Sequence, residues 1–134
     1  MKRTFILSLS LLMILACNDA SSGYAKAEDA EEAGREFIRA SLDGDYDKAK
    51  FFLYEDTTNT NLTLLDRWKR DYNSLSEEDK VGYKNASITA LNILPVNDSI
   101  VNYTYTNTFK QKDTTTLKIV QIRGEWLVDF KDLH

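Results

Sequence analysis

Apolar residues recur with a helical period in the first half of the chain and with a period of two in the second half. Between residues 27 and 79, apolar side chains return every three or four positions, which predicts three helices and one further helical turn. Asp43 and Gly44 are expected to end the first helix, and Asp45 to cap the second. Ser76 opens a capping box that begins the further turn. The first half of the chain is therefore predicted to be helical.

Alternating apolar and polar residues after Tyr83 predict four short strands connected by turns. A turn is expected over residues 95–98, where Pro95 would end the first strand. The second strand places Tyr103 and Tyr105 on the same face, so both side chains lie either inside or outside the domain. Three helices followed by four antiparallel strands predict an α+β fold, in which N-terminal helices pack on a four-stranded antiparallel sheet.

The chain begins with the pattern of a cleaved export signal. Two basic residues at positions 2–3 precede an apolar run over residues 4–15, which is about 12 residues long and shorter than the roughly 20 that a membrane-spanning helix needs. The sequence Ile-Leu-Ala-Cys at residues 14–17 resembles the lipobox of bacterial lipoproteins. That resemblance implies that Cys17 is lipidated and becomes the first residue of the mature protein.

Lipidation at Cys17 would divide the chain into three parts. Residues 1–16 are predicted to be the lipoprotein signal peptide, residues 17–26 the lipidated cysteine and a flexible tether, and residues 27–134 the folded domain. A single acyl chain binds membranes only marginally, whereas two or more anchor a protein stably. We therefore expect the protein to be exported and to be held at the membrane of the cell envelope by its lipid anchor. In a Gram-negative host, the outer membrane is favoured.

Composition disfavours several classes of partner and cofactor. The chain has 134 residues, enough for one domain with its own core, and a formal net charge of −4. The predicted signal is basic, so the mature protein is more acidic still, which argues against binding to nucleic acid. Cys17 is the only cysteine and His134 the only histidine. We therefore expect no disulfide, no zinc, haem or iron–sulfur site, and no cofactor.

Residues 43–47, Asp-Gly-Asp-Tyr-Asp, have the acidic spacing with which a calcium-binding loop opens. Such a loop also needs glycine at its sixth position and glutamate at its twelfth, and these positions hold Lys48 and Tyr54. The segment is therefore interpreted as a turn between two helices, and no metal is expected there.

Two short segments resemble a known superfamily. Residues 43–49, Asp-Gly-Asp-Tyr-Asp-Lys-Ala, stand between the first two helices, and residues 123–129, Arg-Gly-Glu-Trp-Leu-Val-Asp, close the run of strands. They resemble the NTF2-like (cystatin-like) superfamily over residues 27–131, and within it the small bacterial lipoproteins of the DUF4878 type. The resemblance implies a sheet that curls around the helices into a cone open at one end. The superfamily includes ketosteroid isomerase and scytalone dehydratase, but also non-catalytic pockets and partner-binding domains, so the fold does not decide the chemistry.

Large aromatic residues are candidates for the lining of such a cone. They could surround a small apolar ligand, but aromatic side chains also fill ordinary cores, and core filling is the favoured interpretation for the tryptophans and phenylalanines. Buried tyrosines need a partner for the hydroxyl group, which favours positions near the mouth of the cone. The candidate pocket residues are Trp68, Tyr72, Tyr103, Tyr105 and Trp126.

Acid–base catalysis is the alternative to binding. It would use a carboxylate whose pKa is raised by burial, next to a tyrosine hydroxyl. Alternation in the last strand places Trp126, Val128 and Phe130 on one face and Asp129 on the other, so Asp129 is expected to point away from an aromatic-lined cone. We therefore expect a non-catalytic accessory module that binds a small apolar ligand or an envelope protein, with an isomerase- or lyase-type enzyme as the alternative.

Overall fold

The computed structural model describes residues 23–131, which form four helices followed by an antiparallel sheet. Cys17, the predicted signal peptide and His134 lie outside these residues. The elements in chain order are α1 (Ala30–Asp43), α2 (Tyr46–Phe51), α3 (Thr60–Asn73), α4 (Glu77–Asn85), β1 (Ile88–Asn97), β2 (Ile100–Asn107), β3 (Thr115–Ile122) and β4 (Glu125–Asp129). The strands pair in the order β1-β2-β3-β4. The predicted α+β fold, with N-terminal helices on a curved four-stranded antiparallel sheet, is confirmed.

α1 is the helix around which the domain packs, since it contacts α2, α4 and all four strands. It begins at Ala30 rather than near Ala27, because the Asp29 side chain accepts a hydrogen bond from the N–H of Glu32 (2.7 Å) and caps the first turn. It ends at Gly44, whose φ of 75° is a left-handed conformation that glycine adopts without strain. Its buried face consists of Ala30, Ala33, Gly34, Phe37, Ile38, Ala40 and Ser41.

Side-chain caps also set where α2 and α3 begin. As predicted, Asp45 caps α2, where it accepts a hydrogen bond from an N–H of the first turn (3.1 Å). Asn59 precedes α3 but makes no capping hydrogen bond with its side chain. Asp56 takes that role from three residues upstream and accepts hydrogen bonds from the N–H groups of Thr60 (3.2 Å) and Asn61 (2.9 Å). The start of α3 is therefore fixed by the loop that precedes it.

α4 has nine residues, where the sequence predicted a single further turn. Ser76 caps its first turn as expected. The carbonyl groups at its other end accept hydrogen bonds from a side chain of α1. The Arg39 guanidinium donates to the carbonyl groups of Tyr83 (3.1 Å), Lys84 (3.1 Å) and Ala86 (2.6 Å). Because the donor comes from a distant part of the chain, local sequence does not reveal the length of α4.

β1 runs through Pro95 to Asn97, so the turn predicted over residues 95–98 is wrong. The chain turns at Asp98 and Ser99 instead. β1 is an edge strand of the sheet, and proline is tolerated there because the open edge needs no N–H donor. Two shifts in the β1–β2 register accompany this longer strand.

The core lies between the helices and the inner face of the sheet. The ring centroid of Phe130 lies 5.2 Å from that of Phe37 and 4.8 Å from that of Trp68, which joins β4 to α1 and α3. Tyr103 and Tyr105 both point inward and are 2% and 7% exposed. The largest fully buried side chains are those of Tyr103, Phe37, Ile38, Leu117, Ile119, Val128 and Asn61.

The amino-terminal end of the described chain already contacts the domain. The ring centroid of Tyr24 lies 5.7 Å from that of Phe51, and Lys26 forms an ion pair with Glu125. Part of the segment that the sequence assigned to a flexible tether therefore packs on the fold. Among residues 23–131, no helix has the length and apolar character needed to cross a membrane.

Candidate functional site

A half-open cleft of 320 Å³ lies between the helices and the sheet. α1, α2, α3 and α4 contribute its helical walls, and β2, β3 and the loop between them contribute the opposite wall. This volume falls at the lower end of the range that small-molecule sites occupy, about 300–1,000 Å³. The aromatic and charged residues that line the cleft are Tyr46, Trp68, Asp71, Tyr72, Tyr83, Tyr105 and Asp113.

The turn between α1 and α2 positions two tyrosines of the helical wall. The Tyr72 ring packs directly on Gly44: a Cβ atom built at this glycine would lie 2.5 Å from Tyr72 Cε1. The Tyr46 ring meets the Tyr72 ring edge-on, with centroids 5.9 Å apart, and the Tyr46 hydroxyl donates to the carbonyl of Trp68 (3.3 Å). Glycine is thus needed at position 44 both for its positive φ and for the space that Tyr72 occupies.

The pKa values of two tyrosine hydroxyls at the cleft, those of Tyr46 and Tyr105, are raised. Burial raises the pKa of Tyr46 well above its ordinary value of 10.0, and the nearby Tyr72 and Asp71 raise it further. Burial also raises the pKa of Tyr105, against a smaller opposing effect of its hydrogen bond with Thr115. Both phenols are therefore neutral hydrogen-bonding groups near neutral pH, and neither is suited to act as a base.

α4 and the β2–β3 loop close the remaining side of the cleft. The Tyr83 ring packs edge-on against Phe109, with centroids 5.0 Å apart. A Cβ atom built at Gly82 would collide with the Phe109 ring. Burial raises the pKa of Tyr83, and Asp113 adds to that shift. Because Arg39 binds the carbonyl groups at the end of α4, it also positions Tyr83.

Two polar side chains of β2 hold the β2–β3 loop in place. Thr106 Oγ1 lies 2.8 Å from the carbonyl oxygen of Asp113. Asn107 Oδ1 accepts hydrogen bonds from the N–H groups of Phe109 (3.0 Å) and Lys110 (2.8 Å). Thr106 is buried, because the loop folds back over it. The same bonds keep Asp113 at the rim of the cleft.

Two carboxylates, Asp71 and Asp113, lie at the rim of the cleft, and both are exposed. Among the described residues that line it, none is lysine, arginine or histidine. The buried aspartates, Asp56 and Asp129, are not among the lining residues. The cleft is therefore aromatic inside and negatively charged at its mouth.

Asn61 is the centre of a buried polar cluster that ties the loop before α3 to β4. The Asn61 amide donates hydrogen bonds to the carbonyl of Tyr54 (2.9 Å) and to Asp129 Oδ1 (3.0 Å), and its oxygen accepts one from the N–H of Phe130 (2.7 Å). Asp129 is buried within this cluster, where it also approaches Lys118 (3.8 Å). Its carboxylate is thus engaged as a hydrogen-bond acceptor away from the cleft.

Asp56 completes the same cluster. Its carboxylate accepts a hydrogen bond from the Thr58 hydroxyl in addition to those from the N–H groups of Thr60 and Asn61. The Thr58 bond is the largest of the effects that hold the pKa of Asp56 below its ordinary value of 3.8. Asp56 is therefore ionised near neutral pH and serves as the cap of α3.

The structure brings together three of the five aromatic residues singled out in the sequence. Trp68, Tyr72 and Tyr105 line the cleft. Tyr103 lies in the core beside Tyr105, with ring centroids 6.2 Å apart, and Trp126 lies near the first described residues and Phe51. The candidates chosen from the sequence did not include four further lining residues, Tyr46, Asp71, Tyr83 and Asp113. Tyr83 and Asp113 reach the cleft through the packing of α4 and of the β2–β3 loop, which depends on contacts with distant residues such as Arg39 and Thr106.

The acidic segment after α1 has a structural role. Asp43 forms an ion pair with Arg39 (2.9 Å), and Asp45 caps α2. Within residues 23–131, no group of three or more histidine, cysteine, aspartate or glutamate side chains is arranged to hold a metal ion.

Comparison with known proteins identifies the fold. No protein-family model matches the chain, and no curated protein matches it. The structure is similar to that of an NTF-2 like protein of unknown function from Shewanella oneidensis MR-1, with a TM-score of 0.51 and 17% sequence identity. The match covers 73% of this chain and 89% of that chain. The domain therefore has the NTF2-like fold, as the sequence resemblance implied, and at this identity the likeness establishes the fold alone.

Proposed function

We propose that this protein is an exported lipoprotein whose NTF2-like domain binds a small molecule in the aromatic cleft without transforming it. One observation carries the proposal: a cleft of 320 Å³ with aromatic walls remains open between the helices and the sheet, although Phe37, Trp68 and Phe130 fill the space beside it. An aromatic cavity with a few polar groups is the usual form of a small-molecule site. The finer assignment to small lipoproteins of the DUF4878 type is part of the same proposal and rests on the sequence.

The carboxylates favour binding over acid–base catalysis. An isomerase or lyase of the proposed alternative type would hold a buried carboxylate beside a tyrosine hydroxyl. Asp71 and Asp113, which line the cleft, are exposed, and Asp129 accepts hydrogen bonds in the Asn61 cluster. The hydroxyls of Tyr46 and Tyr105, with raised pKa values, are suited to orient a ligand through hydrogen bonds. The exposed carboxylates and the neutral phenols that line the cleft therefore fit a site that recognises a ligand.

The lipid anchor is tested by replacing Cys17 with alanine. We expect loss of metabolic labelling by an alkyne fatty acid, together with release from the membrane fraction or accumulation of the uncleaved precursor, because the thiol is the atom that would be acylated. Ser21→Ala, close by in the predicted tether, is the matched control and should be labelled normally. Labelling of Cys17→Ala at the normal level would refute the anchor.

Ligand binding is tested by the two tryptophan indole N–H signals in a ¹H–¹⁵N NMR spectrum. Trp68 lines the cleft and Trp126 does not, so one signal reports the site and the other is an internal control. Titration with neutral fragments such as p-cresol, indole and cyclohexanol should shift the Trp68 signal and leave the Trp126 signal unchanged. Trp126→Phe assigns the two signals. If neither these fragments nor charged small molecules shift Trp68 at millimolar concentration, the binding proposal fails.

Docking of an envelope protein is a second candidate, and the edge strand favours it. Every residue of β1 after Ile88 is exposed, and these residues include Leu91, Leu94 and Val96, each more than half exposed. An open strand edge with exposed apolar side chains is a common site for association with another chain. Ala90→Lys and Leu94→Lys should abolish such an association while leaving fragment binding at Trp68 intact, which separates the two candidate functions.

A further inference from the structure

The lining of the cleft has the composition of a site for a positively charged ligand. Five of its residues are aromatic, and its charged residues, Asp71 and Asp113, are both acidic. Among the described lining residues there is no lysine, arginine or histidine. A ligand that carries an anionic group would find no counter-ion in these walls, whereas an ammonium group would find both aromatic rings and carboxylates.

The two carboxylates stand on different walls. Asp71, at the end of α3, is close enough to Tyr46 to raise the pKa of that phenol. Asp113, on the β2–β3 loop, has the same effect on Tyr83 of α4. Each acidic group therefore acts on a tyrosine of the cleft, and a ligand between them is exposed to negative potential from both walls.

Two lysine ammonium groups of the chain itself lie over aromatic rings beside the cleft. Lys80 Nζ lies 5.6 Å from the centroid of the Tyr72 ring, while it also pairs with Glu77 (3.3 Å). Lys110 Nζ lies 4.8 Å from the centroid of Phe109, the ring on which Tyr83 packs. Both distances are within the roughly 6 Å at which a cation is attracted to an aromatic ring. Neither lysine lines the cavity, so its interior remains free for a cation from outside.

We propose that the ligand of this cleft is a small organic cation with an alkylammonium or quaternary ammonium group, held among the aromatic rings and between Asp71 and Asp113. This inference rests on the proposed binding function and specifies the chemical class of the ligand. Aromatic rings attract a cation through their electron-rich faces, and the attraction is stronger in a site shielded from water. The exposed carboxylates add a longer-range attraction that salt weakens.

Choline and 3,3-dimethylbutan-1-ol make the decisive pair of probes. They have the same shape, and only choline carries a positive charge. We would titrate each into the full chain in dodecyl maltoside and follow the Trp68 indole signal, with Trp126 as the internal control. Choline is expected to bind about tenfold more tightly than its neutral analogue, in line with the strength of cation–π contacts in a partly buried site.

Charge variants test the origin of the preference. Asp71→Asn and Asp113→Asn should each weaken choline binding about threefold and leave the neutral analogue unaffected, because exposed charges act through solvent. Asp98→Asn, in the exposed β1–β2 turn, is the matched control and should change neither affinity. Lys80→Gln should strengthen choline binding, since it removes a competing positive charge near Tyr72; an anionic ligand would respond in the opposite direction.

Each outcome decides the inference. Tighter binding of choline that depends on Asp71 and Asp113 supports it. Equal affinity for the two probes overturns the cation assignment while the proposed binding function stands. If neither probe shifts the Trp68 signal, the cation assignment is overturned, and the titration with neutral fragments decides separately whether the cleft binds a ligand at all.

Discussion

Replacement of Asn61 by alanine is expected to lower the free energy of unfolding by about 3 kcal/mol. Asn61 is fully buried, and its side chain makes three hydrogen bonds that join the loop before α3 to Asp129 and Phe130. Alanine would leave the Asp129 carboxylate and the N–H of Phe130 without these partners in a site that water does not reach easily. The loss from unpaired buried groups is larger than the loss of the hydrogen bonds alone. Urea denaturation monitored by circular dichroism measures the change.

Two further variants test this explanation. Asn92→Ala makes the same substitution on the exposed edge strand and should change the unfolding free energy by less than about 0.5 kcal/mol. Asn61→Asp keeps the shape but replaces the amide donor by a carboxylate that faces Asp129, so it should be at least as destabilising as alanine at pH 7. A variant Asn61→Asp as stable as the unmodified protein would contradict the assigned hydrogen bonds.

Replacement of Gly44 by alanine is expected to lower the free energy of unfolding by about 2–5 kcal/mol, from two separate causes. A φ of 75° costs an L-residue about 1–2 kcal/mol. The new methyl group would also overlap the Tyr72 ring, and overpacking of this kind costs roughly a further 1–3 kcal/mol. Thermal and urea denaturation measure the sum, and the Trp68 indole signal reports whether the cleft changes shape.

Gly124 provides the matched control for Gly44. Its φ of 80° is similar, but a Cβ atom built there would meet no atom within 4 Å. Gly124→Ala should therefore show the backbone cost alone, and the difference between the two variants measures the contact with Tyr72. The double variant Gly44→Ala with Tyr72→Ala should lose less stability than the sum of the two single changes. Equal losses of unfolding free energy for Gly44→Ala and Gly124→Ala would show that Tyr72 does not pack tightly against position 44.

Local signals in the sequence predict those parts of the fold that neighbouring residues determine. Asp43, Gly44 and Asp45 end one helix and begin the next through bonds within the turn itself, so their pattern is sufficient. The alternation in β2 likewise predicts that Tyr103 and Tyr105 share a face, because a strand side chain repeats every two residues. The order of such elements predicted the α+β class, and the resemblance of two segments implied the NTF2-like fold.

Long-range contacts determine the parts that sequence reasoning missed. Arg39 terminates α4 from another helix, and Thr106 is buried by a loop that returns over it. Neither relationship leaves a periodic pattern. The cleft depends on both, since they position Tyr83 and Asp113. The sequence therefore identified aromatic residues as candidates but could not separate those that line the cleft from those that fill the core.

A crystal structure of the protein purified from its native host tests the central claim most directly. We predict electron density for a small molecule in the cleft, in contact with Trp68 and Tyr72 and within reach of Asp71 or Asp113. Soaking with choline should reproduce that position if the native ligand is lost during purification. A cleft closed by its own side chains, or a ligand found only elsewhere on the domain, would contradict the account.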